Sequence, residues 1–266
     1  MSGLVFRVVL FFALALALLF LTFPIVAIFV DVGPGDLLSR LDDPASVDAL
    51  RLSLETTAVA LAVILVAGTP AAYLLGTRSF RGRATVLTLI ELPLILPPAA
   101  AGIGLLAALG PNGVVGPALE EVGVRLPLTT AGVIVALVFV ASPFYLRQAT
   151  AAFGALDPTL LEASSTLGAP ESRTFARVAV PLCAPALTTG AALAWGRALG
   201  EFGATLMFAG SFRGVTQTAP LAIFEFLGTD FEAALALAAV LVAVSGALLL
   251  VLKVAAPGEV RFDVVR

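Results

Sequence analysis

Long uncharged apolar stretches constrain the fold of this chain more than any other feature of its sequence. Residues 8–30 contain no Asp, Glu, Lys or Arg, and about 20 mostly apolar residues suffice for a helix to cross the hydrocarbon core of a bilayer. Hydrophobic residues make up 60% of the chain and charged residues 12%, whereas soluble domains carry about 25% charged residues. The sequence therefore predicts a protein whose surface is largely solvated by lipid.

Six predominantly apolar segments of about this length occur along the chain, which predicts an all-α membrane protein with six transmembrane helices. They cover residues 8–30, 55–76, 84–109, 129–148, 178–199 and 232–255. The first could also be a secretory signal, because Arg7 precedes it and small residues recur within it. The apolar part of a signal spans only about 7–15 residues, so we expect a retained helix.

The basic residues favour one orientation of these helices. With the N-terminus in the cytoplasm, ten of the 15 Lys and Arg residues fall in inner segments. Cytoplasmic segments carry an excess of Lys and Arg, so both termini are predicted to be cytoplasmic. The cluster of Arg78, Arg81 and Arg83 is the strongest contribution to this prediction.

The residue inventory excludes several kinds of chemistry. The chain has no histidine, which removes the commonest general base and histidine-based zinc sites. Its one lysine, Lys253, is followed by Val254, so no Gly-Lys-Ser/Thr phosphate loop is present, and any ATP used must bind to another chain. The single Cys183 cannot form an internal disulfide. A net charge of −3 provides no basic surface for nucleic acid.

The loop at residues 149–177 is long enough to have structure of its own. Asp157 is a good N-cap and Pro158 suits the first helical position, while Gly168 is the expected end of this short helix. Pro170 can then open a second one. A small apolar face flanked by Glu162 results, formed by Leu160, Leu161, Ala163, Ser164 and Leu167. This face could bind in a groove of a partner protein or rest on lipid headgroups, although the loop is poor in the Lys and Arg residues that an anionic surface attracts.

A family resemblance begins in this loop. Glu162-Ala163-Ser164, then Gly168, then Val180-Pro181-Leu182 resembles the EAA motif of ABC importer permeases, with Ser at a position where the family has Ala. The resemblance implies that residues 149–177, here called the coupling loop, dock into a groove of a separate ATPase subunit. It implies contacts through Asp157, Leu160, Leu161, Glu162, Ala163, Ser164, Leu167, Gly168 and Ala169.

Two further stretches resemble one branch of that family, the oxyanion permeases. Residues 196–206, GRALGEFGATL, are similar to molybdate, tungstate and sulfate permeases, and residues 214–223, GVTQTAPLAI, are closest to molybdate permeases. Residues 92–102, LPLILPPAAAG, resemble their third span. The resemblance covers residues 53–252. It implies a type I ABC importer permease fold and a role in importing molybdate, with tungstate or sulfate as alternatives.

The apolar segments and the resemblance together predict the organisation of the chain, and the resemblance implies its partners. A first helix and outer loop at residues 1–52 precede an ABC transmembrane type-1 domain at residues 53–252, and a cytoplasmic tail follows at residues 253–266. The implied partners in the cell membrane are a second copy of the chain, two ABC ATPase subunits and a periplasmic or lipid-anchored oxyanion-binding protein. ATP and Mg would bind to the ATPases, and this non-catalytic chain would hold neither cofactor nor metal.

Polar residues near the fifth span are candidates for a translocation path. If residues 196–206 form one helix, Arg197, Glu201 and Thr205 share a stripe that could face a water-filled path. A second stripe would then pack on a neighbouring span through its small residues; it consists of Gly196, Gly200 and Gly203. The alternative is that Arg197 and Glu201 merely pair with each other near the outer interface.

Hydroxyl and amide donors would suit a doubly charged oxyanion better than a tight cationic trap, because a trap would not release its ion. Thr216, Gln217 and Thr218 are such donors. An ordinary helix start before Pro220 is the alternative interpretation, and the two are compatible. The candidate path therefore comprises Arg197, Glu201, Thr205, Thr216, Gln217 and Thr218.

Two other classes of function compete with an ABC permease. A secondary transporter driven by an ion gradient should carry charged residues near the membrane midplane. Glu91 is the one acid in the interior of a predicted span, since Glu55 and Glu232 stand at the first position of theirs. An intramembrane enzyme would need a nucleophile and a base, but the chain has no histidine and no Gly-x-Ser-x-Gly motif. Both alternatives are therefore disfavoured.

Overall fold

A computed structural model of the protein describes residues 3–31 and 43–255, and all regular secondary structure in these ranges is helical, as predicted. Residues 32–42 of the first predicted outer loop and residues 256–266 of the predicted tail lie outside the described part. The elements are α1 (Gly3–Asp31), α2 (Pro44–Thr77), α3 (Arg83–Ile95), α4 (Pro98–Leu109), α5 (Gly116–Glu121), α6 (Thr130–Gly154), α7 (Pro158–Thr166), α8 (Glu171–Thr174), a π-helical turn (Phe175–Ala179), α9 (Val180–Leu199), α10 (Gly203–Ala209), α11 (Ala219–Leu227) and α12 (Phe231–Ala255).

Several helices are long and apolar enough to cross a bilayer, so the chain is a multi-pass membrane protein. Within the described residues four helices meet this criterion, or five if α3 and α4 together make one span. The four are Gly3–Val30, Pro44–Thr77, Thr130–Gly154 and the continuous helix Glu171–Leu199. The sixth predicted segment lies in α12, whose described apolar run is Phe231–Ala247. The count of six spans stays a prediction.

The third predicted segment, residues 84–109, is not one helix. It forms α3 and α4, which are bent by 118° at a short break. Proline lacks an N–H and disfavours helical geometry in the residue before it, so Leu96-Pro97-Pro98 ends α3 and begins α4. Pro98 occupies the first turn of α4, where its missing N–H leaves no hydrogen bond unmade. Glu91 lies within α3, half exposed, and its carboxylate is 3.6 Å from Arg147 on α6.

The packed centre of the molecule consists of α2, α6 and α9, joined by an apolar core. Two glycines of α2 allow close approach to α6. A Cβ atom on Gly76 would lie 2.8 Å from the Thr150 carbonyl oxygen and 2.9 Å from the Gly154 nitrogen, and one on Gly68 would lie 3.1 Å from the Tyr145 ring. Small residues at such points let helix backbones meet in membranes, so α2 and α6 pack as a close pair.

Buried hydroxyl groups near the start of α2 connect it to two other helices. The Thr57 hydroxyl accepts a hydrogen bond from the Trp195 indole of α9 at 2.9 Å and donates to the Ser53 carbonyl at 2.6 Å. The Ser53 hydroxyl accepts from the backbone N–H of Ala219, the first residue of α11, at 2.7 Å. Because each polar group has a partner, the buried cluster is compatible with an apolar surrounding.

Helix α1 is separate from this centre. It packs against α12, yet none of the residues of its most apolar window is buried in the chain. An all-round apolar helix of this kind has its stable surroundings in lipid or in a neighbouring membrane helix. It therefore makes little contribution to the core of its own chain.

Candidate functional site

The coupling loop folds locally as its sequence predicts. The Asp157 carboxylate accepts the backbone N–H of Thr159 at 2.9 Å, and this bond lowers the pKa of Asp157. Pro158 occupies the first position of α7, which ends at Thr166 with Leu167 as its C-cap residue. Gly168 has a φ of +76°, a left-handed conformation that glycine adopts at low cost. The predicted short helix and its glycine stop are confirmed.

Helix α7 projects side chains away from the bundle. None of its residues is buried, and Leu160 and Leu167 are 44% and 87% exposed. Leu161 and Glu162 instead line a groove between α7 and the end of α2, while Ala163 is exposed. The loop thus presents exposed apolar side chains, as a docking element would.

Two polar contacts hold the loop in place. Within the loop, the hydroxyls of Ser164 on α7 and Thr174 on α8 are hydrogen-bonded at 2.7 Å. Glu171 on α8 reaches Arg78, just beyond α2, at 2.8 Å, and this bond raises the pKa of the Arg78 guanidinium. Sequence reasoning noted Arg78 only as a marker of orientation and missed Glu171, because their pairing joins positions far apart in the chain.

The stripes at residues 196–206 were predicted on the condition that these residues form one helix, and the structure does not meet this condition. Helix α9 ends at Leu199 and α10 begins at Gly203, so the intervening turn rotates the later residues off the expected faces. A Cβ atom on Gly203 would lie 2.8 Å from Pro98, but one on Gly196 would meet no neighbour within 4 Å. Close packing therefore involves one glycine of the predicted stripe.

Arg197 and Glu201 form the ion pair that was the alternative interpretation, at 2.6 Å. Glu201 is 1% exposed, and its second oxygen accepts the backbone N–H of Ala204 at 2.7 Å. Thr205 is fully buried and donates its hydroxyl to the Phe202 carbonyl at 2.8 Å. The carboxylate and this hydroxyl are both engaged within the chain, and a path-lining role for these residues stays a prediction.

The Thr-Gln-Thr segment lies in the turn before α11. The buried Thr216 hydroxyl accepts the backbone N–H of Phe212 at 2.9 Å, and the Gln217 amide donates to Glu225. Thr218 is the N-cap residue of α11, which confirms the predicted helix start. Its buried hydroxyl has no hydrogen-bond partner in the described part of the chain.

The two candidate regions lie at opposite ends of α2. The turn before α11 meets Ser53, whereas the coupling loop meets Arg78. At 1.5 Å of rise per residue these positions are about 38 Å apart, which exceeds the thickness of the hydrocarbon core. A chain with this arrangement has a docking element on one side of a membrane and a polar segment toward the other.

The family follows from comparison with known proteins. Residues 68–256 match the model of the binding-protein-dependent transport system inner membrane component, so the chain belongs to this family of ABC importer permeases. The family consists of transport subunits without a catalytic site, which confirms the predicted non-enzymatic role.

Individual relatives show which members of the family this chain is similar to. The molybdenum transport system permease protein ModB of Mycobacterium tuberculosis is 39% identical over 246 residues, which cover 92% of each chain. The probable transport system permease protein NifC of Clostridium pasteurianum is 37% identical over 246 residues, covering 92% of this chain and 86% of the relative. The predicted membership in the permease family is thereby confirmed.

Solved structures show the same fold. A bacterial ABC transporter that imports alginate contains a chain with a TM-score of 0.74 and 17% sequence identity, over 95% of this chain and 94% of that one. The transporter has also been crystallised with its alginate-loaded periplasmic protein, and that chain has a TM-score of 0.73. Identity this low supports the fold alone, and the predicted ABC importer permease fold is confirmed.

Proposed function

We propose that this chain is the membrane-spanning permease subunit of an ATP-driven importer of molybdate. Two copies form the translocation pathway, and each copy engages one separate ATPase subunit through its coupling loop. The substrate assignment is supported by the similarity to ModB over most of both chains and by the Thr-Gln-Thr segment before α11. Tungstate and sulfate are the alternative substrates, because all three are tetrahedral dianions.

The exposed helix α7 carries the proposal of ATPase coupling. It is a short capped helix with no buried residue, it presents Leu160 and Leu167 outward, and it bears the Glu-Ala-Ser sequence of the EAA-like motif. ATP and Mg bind to the partner subunits. ATP binding closes the ATPases and moves both coupling loops together, which turns the pathway outward, and hydrolysis returns it inward.

The orientation follows from the same assignment. The coupling loop and both termini face the cytoplasm, as the excess of basic residues on that side supports. The turns around α10 and α11 then face outward, where a periplasmic or lipid-anchored binding protein delivers the oxyanion. Arg197, Glu201, Thr205, Thr216, Gln217 and Thr218 remain the candidate path residues, although the buried ones require another conformation or the second copy to meet substrate.

Reconstitution tests the proposal directly. The chain is placed in liposomes with its cognate ATPase and binding protein, and uptake of molybdate, tungstate and sulfate is measured with and without ATP. We expect ATP-dependent uptake that prefers molybdate over sulfate. Preference for sulfate would move the assignment to the alternative substrate, and uptake by the chain alone under an ion gradient would identify a secondary transporter instead.

Gly168, at the end of α7, provides a matched pair of variants that test the role of this helix in coupling. Its φ of +76° is strongly disfavoured for a β-branched residue but tolerated by Asn, and a Cβ there meets no neighbouring atom. We expect G168V to lower ATP-driven transport by about tenfold, corresponding to about 1.4 kcal/mol, and G168N to stay within about threefold of the wild type. Equal transport by the two variants would show that coupling through α7 does not depend on the conformation of this turn.

A further inference from the structure

The coupling loop is fastened to the bundle at its α8 end. Glu171 of α8 pairs with Arg78 at 2.8 Å, and both side chains are more than half exposed. Thr174, the last residue of α8, is buried and bonds the Ser164 hydroxyl of α7 at 2.7 Å. A displacement of α7 therefore acts on α8, and α8 acts on the end of α2.

An aromatic cluster continues this connection into the bundle. Phe175 follows Thr174 directly, and its ring centroid is 5.0 Å from that of Tyr73 on α2, with an interplanar angle of 62°. Tyr73 in turn meets the buried Phe153 of α6 at 5.4 Å and 88°. Edge-to-face pairs of this geometry are favourable beyond their buried area. The three rings link the coupling loop to α2 and α6 at once.

The end of α2 and the end of α6 cannot move separately by much. Any side chain atom on Gly76 would overlap Thr150 and Gly154 of α6, so the two backbones are already in contact there. The path from the loop toward α9 is different, because it passes through the π-helical turn Phe175–Ala179. Such turns interrupt the regular hydrogen-bond ladder and are frequent at functional sites.

We infer that Arg78, Tyr73, Glu171, Thr174 and Phe175 are positioning residues that deliver the displacement of the coupling loop to the α2–α6 pair. The loop thus drives two closely packed helices as one body and does not act solely on α9, the helix that follows it in sequence. The inference rests on the proposed ATPase coupling. It adds to that proposal the residues and the helix pair that receive the motion.

A charge swap tests the Arg78–Glu171 contact. The variants R78E and R78E/E171R are assembled with the wild-type ATPase and binding protein, and the number of molybdate ions transported per ATP hydrolysed is measured. We expect R78E to lower this ratio by about threefold, as fits loss of an exposed ion pair and gain of a repulsion. The double variant should restore the ratio. The control R51E breaks the similarly exposed Arg51–Glu55 pair near the other end of α2 and should leave the ratio unchanged.

A second variant tests the aromatic connection independently of charge. F175L keeps an apolar side chain but removes the ring contacts of Phe175 with Tyr73 and Phe153, so we expect a lower transport-to-hydrolysis ratio with ATPase activity and thermal stability of the complex preserved. A role in folding alone would lower activity and stability together and leave the ratio unchanged.

The outcomes separate the two proposals. The inference would be overturned if the wild-type complex transports and both R78E and F175L have the same transport-to-hydrolysis ratio as the wild type. The proposed function would remain intact in that case. A wild-type complex that does not use ATP to transport any of the three oxyanions would overturn the proposed function and the inference with it.

Discussion

Glu201 shows how the tertiary structure changes the meaning of a single polar residue. Its sequence context suggested a carboxylate facing a water-filled path, but both of its oxygens are engaged, one by Arg197 and one by the N–H of Ala204. The side chain thus neutralises a cation and caps the start of α10 while it is 1% exposed. Its demonstrable contribution is to hold the turn between α9 and α10.

We therefore expect E201A to lower the free energy of unfolding by about 2 kcal/mol, because it leaves Arg197 without its partner in a largely buried position. E201Q should cost less, since its amide oxygen can still accept the Ala204 N–H. Thermal unfolding in detergent or nanodiscs measures both. The exposed Arg51–Glu55 pair supplies the control E55A, expected within about 1 kcal/mol of the wild type. E201A as stable as the wild type would remove the structural role assigned to this carboxylate.

At the scale of elements, the ends of helices could be predicted from the sequence better than the contacts between helices. The limits of α7 followed from Asp157, Pro158 and Gly168 because caps act within one turn of the helix. Proline chemistry accounts for the break at Leu96-Pro97-Pro98, but the 118° bend is a feature of the tertiary structure, in which α4 packs against α10. The end of the fifth span at Leu199 was predicted and is confirmed, whereas the short helix that begins at Gly203 was not predicted.

The α2–α6 contact yields a prediction for the pair of helices. G76A should lower the free energy of unfolding by about 2 kcal/mol, since the added methyl meets backbone atoms of α6 that cannot rotate away. Ala is otherwise the better helix former by about 0.5–1 kcal/mol. The control G104A lies in α4 with no neighbour near its Cβ, so it should be neutral or slightly stabilising. A neutral G76A would mean that the two helices are less closely joined than the structure has them.

For the whole molecule, α1 and the remaining helices differ in how they are stabilised. Residues 43–255 share buried cores and hydrogen bonds between distant helices, whereas the apolar window of α1 has no buried residue. The stability of the described bundle therefore rests on residues 43–255. The surface of α1 is available to lipid or to another membrane helix.

Replacing α1 by an unrelated Leu/Ala helix of the same 29 residues tests this division. The free energy of unfolding of the isolated chain, measured by thermal unfolding, should change by less than about 1 kcal/mol, as for substitutions that remove no buried contact. A large loss of stability would show that α1 contributes to the core after all. Measuring the assembled complex in parallel separates a role in assembly from a role in folding.

The sequence by itself determined that lipid solvates much of the surface, that the fold is helical, and how the coupling loop folds locally. Hydropathy, caps and turn residues act over a few neighbouring positions, so these signals can be read from the amino-acid sequence alone. The tertiary structure decided what residues far apart do to one another. It paired Arg78 with Glu171, brought Ser53 to the start of α11, buried Glu201 and placed Gly76 against α6. Ion pairing, hydrogen bonding and close packing depend on distances through space, and these exist only once the helices have been arranged.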